Sequence, residues 1–84
     1  MKLKERITAL ISDPNSGIET PEFDLEESLD GKVGGFIISP TFKDKSQIER
    51  QNMVWDYLEK SIDSEKIPCI IVLVMVTPDE NEKG

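Results

Sequence analysis

The stretch "FIISPTFKDKSQIERQNMVWDYL", residues 36–58, holds three kinds of local order in succession. Phe36, Ile37 and Ile38 end a short apolar run that reads as a strand. A loop with a proline, a phenylalanine and two lysines follows. Ser46-Gln47-Ile48-Glu49 then spells a capping box. In that arrangement the serine hydroxyl accepts from the amide of Glu49, and the Glu49 side chain reaches back to the serine amide. At about 100° per residue, Ile48, Gln51, Val54, Trp55, Leu58 and Ile62 share one helix face, expected as the buried stripe. Arg50, Met53, Tyr57 and Lys60 fall on the other side.

Working outward, residues 2–12 predict a first helix, with Leu3, Ile7, Leu10 and Ile11 on one face. Asp13-Pro14 stops it, because proline disfavours the helical region for the residue before it. Residues 22–28, "EFDLEES", set Phe23 and Leu25 against Glu22, Asp24 and Glu26, as a half-buried edge strand does. Asp30-Gly31 signals a turn into "VGGFIIS". Gly34 and Gly35 predict a bulge or a close backbone approach. Pro68 marks the start of a third strand, "CIIVLVMVT", ended by Thr77-Pro78.

The order is helix, strand, strand, helix, strand. A hairpin makes the first two strands antiparallel, and a helical crossover makes the third parallel to the second. The expected fold class is α+β: a two-layer domain with a three-stranded mixed sheet and both helices on one face. Residues 1–78 are expected to form one domain, and residues 79–84 a flexible C-terminal tail.

The third strand is apolar at every position from Cys69 to Val76, where a strand covered on one face would alternate. Either it is a short buried central strand, or a second copy of the chain closes the open sheet face. Two helices cannot easily cover both faces, so a homo-oligomer is expected.

Composition narrows the function classes. The chain has 84 residues, 10 basic and 17 acidic, for a net charge of −7. Its whole-chain field repels a polyanion, which makes nucleic acid an unlikely partner. Absence of histidine removes the commonest general base and metal ligand together. No apolar run is long enough to span a membrane, and the N-terminus lacks the continuous apolar core of a secretory signal. Lone Cys69 fits a reducing, cytoplasmic setting.

The opening stretch resembles the central motif of the BolA family. In that family an apolar strand ends in serine, matched by Ser39. A loop runs through phenylalanine to Lys-Ser, matched by Phe42 and Lys45-Ser46. The helix carries an arginine near its start and then an apolar-valine pair, matched by Arg50 and Met53-Val54. Thr77-Pro78-Asp79-Glu80 matches the usual end of the third strand, and the likeness covers residues 33–80. The resemblance implies a KH-like fold. It also implies a small adaptor in iron–sulfur assembly and stress or redox regulation, sharing a [2Fe–2S] cluster with a monothiol glutaredoxin.

Two departures bear on that implication. Cys69 stands where the resemblance places a cluster-ligand histidine. The loop "SLDGKVG", residues 28–34, offers neither His nor Cys. A thiolate is a competent iron ligand, so Cys69 is the metal candidate. The alternative is a small buried hydrophobe at the head of an apolar strand.

Other constellations carry less. Gly31-Lys32-Val33-Gly34 has the GxxG spacing of a phosphate clamp, but it lies between two strands rather than two helices. The acidic run from Glu19 to Asp30 lacks the spacing of a calcium loop. No nucleophile elbow, phosphate loop or paired carboxylate suggests an enzyme. Phe42, Lys43, Lys45, Arg50, Met53 and Tyr57 form the candidate partner-binding patch, mixing basic and apolar groups as interfaces do. The first expectation is a non-enzymatic adaptor. The alternatives are a nucleic-acid-binding regulator on a KH-like fold, and a dimeric scaffold that has lost metal binding.

Overall fold

The computed structural model describes residues 2–83. Its order is α1 (Leu3–Ser12), β1 (Glu22–Glu27), β2 (Val33–Ile38), α2 (Gln47–Ser61), β3 (Ile70–Val76) and α3 (Pro78–Lys83). Short 3-10 turns at Pro14–Ser16, Pro40–Phe42 and Ile67–Cys69 lie between these elements. The architecture is the expected α+β one, a three-stranded mixed sheet with α1 and α2 on one face. β1 pairs antiparallel with β2, and β2 pairs parallel with β3.

One face of the sheet meets the two helices. Ile7 and Ile11 of α1 and Val54 and Leu58 of α2 pack with Leu25, Val33, Ile37, Leu73 and Met75 in a single buried cluster. Gln51 stitches the layers together. Its amide nitrogen donates to the Leu73 carbonyl at 2.9 Å, and its carbonyl accepts from Trp55 Nε1 at 2.9 Å. The indole N–H therefore has its partner although the ring is half-buried.

The sheet order is β1-β2-β3, so β3 is an edge and not a central strand. Its unbroken apolar run has a local cause. The register jumps from Val33 opposite Ile70 to Gly34 opposite Val72, leaving Ile71 as an extra residue on β3. Such a bulge turns two neighbouring side chains the same way. Ile71 and Val72 are accordingly both exposed, while Ile70 and Leu73 on either side of them are buried.

The two glycines of β2 answer different needs. At Gly35 (φ +144°) a Cβ would stand 2.1 Å from the Asp24 carbonyl oxygen, so the β1 backbone lies where a side chain would go. At Gly34 a Cβ would meet only Val72 Cγ1, at 3.3 Å, and Val72 backbone beyond it.

Residues 79–83 of the stretch expected as a tail form α3 together with Pro78, and residue 84 lies outside the described residues. The reason is a second capping box. Glu80 Oε1 accepts from the Thr77 amide at 2.8 Å, and Thr77 Oγ1 accepts from the Glu80 amide at 3.2 Å. Pro78 begins the helix, where its missing N–H is no loss.

Candidate functional site

The loop between β2 and α2 is held at each of its turns. Ser39 is fully buried. Its hydroxyl donates to the Glu19 carbonyl at 2.6 Å and accepts the Thr41 amide at 3.1 Å. Thr41 Oγ1 in turn accepts the Glu19 amide at 2.8 Å. The loop is thereby tied to the segment preceding β1. Asp44 takes a left-handed conformation (φ +64°), which short polar side chains tolerate better than most. Next, Ser46 Oγ accepts the Glu49 amide and Glu49 Oε1 accepts the Ser46 amide, both at 3.1 Å. Those bonds hold the Glu49 carboxyl below its usual range, the Ser46 amide being the largest cause.

This anchoring divides the six residues of the expected partner patch. Phe42 is fully buried in the main core, because the Pro40–Phe42 turn swings its ring inward. Arg50 is only 5% exposed. Its Nε donates to the Lys45 carbonyl at 3.0 Å, and Nη1 donates to the Met75 carbonyl at 3.0 Å. The guanidinium also grips Glu80 with two bonds, Nη1–Oε1 at 2.8 Å and Nη2–Oε2 at 3.3 Å. Neither Phe42 nor Arg50 is free to meet a partner: apolar burial takes the first, and burial with four hydrogen bonds takes the second. Met53 and Tyr57 are half-buried on the flank of α2, packed against the core rather than standing on its outer face. Lys43 is exposed and Lys45 half-exposed.

The buried face of α2 is rotated by about 50° from the expected stripe at about 100° per residue. The buried line is Arg50, Val54, Leu58 and Ile62, one every four residues. Ile48, expected inside, is 74% exposed beside Lys45. The i, i+4 line is visible in the sequence, but a charged residue at its head reads as an outside position. Only the distant acceptors on Met75 and Glu80 make that position an inside one.

The metal candidate stands alone. Cys69 is a half-buried free thiol at the end of the turn that precedes β3. Among the described residues no group of three or more His, Cys, Asp or Glu could hold a metal ion. Among the described residues, too, no helix is long and apolar enough to cross a membrane.

Glu80 and the acidic half of the sheet's outer face are the features that local reading misses. Glu80 had a signal, since Thr77-Pro78-Asp79-Glu80 has capping-box spacing with proline at the first helical position. The Arg50 guanidinium first, and then the Thr77 amide, hold the Glu80 carboxyl at about 2, below an ordinary 4.5.

No protein-family model and no curated protein matches the chain. Among solved structures it is similar to that of a BolA protein homologue from Coxiella burnetii, with a TM-score of 0.66 and 23% sequence identity. The likeness spans 98% of this chain and 99% of the other. With its element order, mixed sheet and one-sided helical layer, the chain has the BolA-like fold.

Proposed function

We propose that this chain is a non-enzymatic adaptor acting through protein partners, in iron–sulfur or redox regulation. The observation that carries the reading is the anchored loop before α2. Buried Phe42, Ser39 and Arg50 hold it from beneath, leaving Lys43, Lys45 and Ile48 outward on a fixed frame. A rigid basic and apolar knuckle loses little entropy on docking and suits a protein surface. Its two lysines flank exposed Asp44 on a chain of net charge −7. The same geometry takes Arg50 out of any phosphate contact. A nucleic-acid role would then rest on two lysines against the field of the whole chain.

The BolA-like fold supplies the setting, and a monothiol glutaredoxin is the proposed partner. A shared [2Fe–2S] cluster would take Cys69 as this chain's one thiol ligand. The other ligands would have to come from outside it, because the residues around Cys69 do not complete a set. Anaerobic cluster reconstitution on a monothiol glutaredoxin, with and without this chain, tests the cluster role. A visible spectrum changed by the wild type and unchanged by Cys69→Ala supports it. Identical spectra with and without the wild-type chain remove cluster sharing and leave the adaptor reading to a binding measurement.

A further inference from the structure

The sheet face turned away from α1 and α2 is half acidic and half apolar. Phe23, Leu25, Ile37, Leu73 and Met75 point into the core layer, so their strand neighbours point the other way. Register then sets Glu22, Asp24 and Glu26 of β1 beside Ile38, Phe36 and Gly34 of β2. Beyond these lie Val76, Val74 and Val72 of β3. Phe36 is 43% exposed and Val72 50%, and the bulge adds Ile71 at 66%. Because Gly34 has no side chain, a depression of about 400 Å³ opens among Glu26, Lys32, Gly34, Ile71 and Val72. A contiguous apolar surface of this kind, rimmed by charge on one side, marks an interaction site.

We propose that this face docks an amphipathic helix of a partner, its apolar side on Phe36, Val72 and Val74 and a flank of Lys or Arg over Glu22, Asp24 and Glu26. Charge complementarity chooses the occupant. Alternate residues of a strand lie about 6.8 Å apart, and helix residues four apart rise about 6 Å. Basic residues at i, i+4 and i+8 therefore match the three carboxylates when the helix runs along the strands. A helix about 10 Å across also fits the roughly 10 Å from β1 to β3. A second copy of this chain fits poorly. Stacked about a two-fold axis along β2, each acidic row lies on the other copy's valines. About an axis across the strands, acid faces acid. Either arrangement buries carboxylates without partners.

This deepens the adaptor reading and rests on it only for the existence of a partner. A glutaredoxin titration reads the α2 side of the molecule, whereas the test here reads β1 to β3, so each can fail without the other. The probe is a designed peptide of about five helical turns (~18 residues) with a leucine face and lysines at i, i+4 and i+8 along one flank. Its control carries glutamates on that flank. Each is titrated into the isotope-labelled full chain at low salt, with amide shifts mapped by NMR. The lysine peptide should move the amides of Asp24, Phe36, Val72 and Val74 and spare those of α1. The glutamate peptide should bind at least about ten-fold more weakly. Asp24→Lys with Glu26→Lys, both at exposed positions, should cost a comparable factor without lowering Tm. Shifts confined to the helical side, equal affinity for both peptides, or unchanged affinity after charge reversal would overturn the proposal. So would sedimentation as a dimer with the Phe36 and Val72 amides protected from exchange, which would give the face to a second copy, offset or paired along β3.

Discussion

Replacing Arg50 would take its hydrogen bonds from the carbonyls of Lys45 and Met75 and leave the carboxylate of Glu80 only the Thr77 amide. A methionine there keeps the stem's packing but removes every hydrogen bond. Arg50→Met should therefore cost about 3 kcal/mol, read from urea denaturation, because buried acceptors are left unpaired. The partner carboxyl of Glu80 has a pH signature. Its folded value, about 2, lies below its ordinary 4.5. Its contribution is therefore complete above the ordinary value and is lost as pH falls through the folded one. Denaturation midpoints should decline from about pH 5 towards about pH 2, and Glu80→Gln should flatten that decline. The glycines of β2 give a paired test. Gly35→Ala drives a methyl into the Asp24 carbonyl at a left-handed φ and should cost about 3 kcal/mol or abolish folding. Gly34→Ala meets mainly a movable Val72 side chain and should cost less than about 1.5 kcal/mol by the same assay.

At the scale of elements, two helices start by the same device, Ser46 with Glu49 and Thr77 with Glu80. Ser46→Ala and Thr77→Ala should each cost about 1 kcal/mol in thermal or urea unfolding. Thr77→Ala should also loosen α3, visible as faster amide exchange at Asn81. The local grammar of the chain was largely legible. The capping box at Ser46, the Asp30-Gly31 turn, the hairpin and the parallel crossover follow from spacing and turn chemistry alone. The phase of α2 was not legible, since it depends on partners 25 and 30 residues away from Arg50. Nor was the place of β3. Its apolar run suggests a central strand, yet a bulge at Ile71 and an open outer face account for the same residues at an edge.

For the whole molecule, one layer of core on one side of a three-stranded sheet leaves the other side to be explained. Legibility of the candidate site divides along the same line. Lys43 and Lys45 are outward as their type predicts. Phe42 turned inward because a 3-10 turn cannot be seen in composition, and Ile48 turned outward because α2 rolled towards Arg50. The outer face of the sheet was readable as an unusual apolar strand, but its acidic half appears only when register sets β1 beside β2. The adaptor account asks that the anchored knuckle, and not a buried pocket, be where this chain meets its partner. A titration of the isotope-labelled chain with a monothiol glutaredoxin tests this most directly, with amide shifts followed by NMR. The account predicts shifts clustered from Lys43 to Asn52 and weakened by Lys43→Glu with Lys45→Glu. An unperturbed spectrum at saturating glutaredoxin, or shifts that ignore those two lysines, would contradict it.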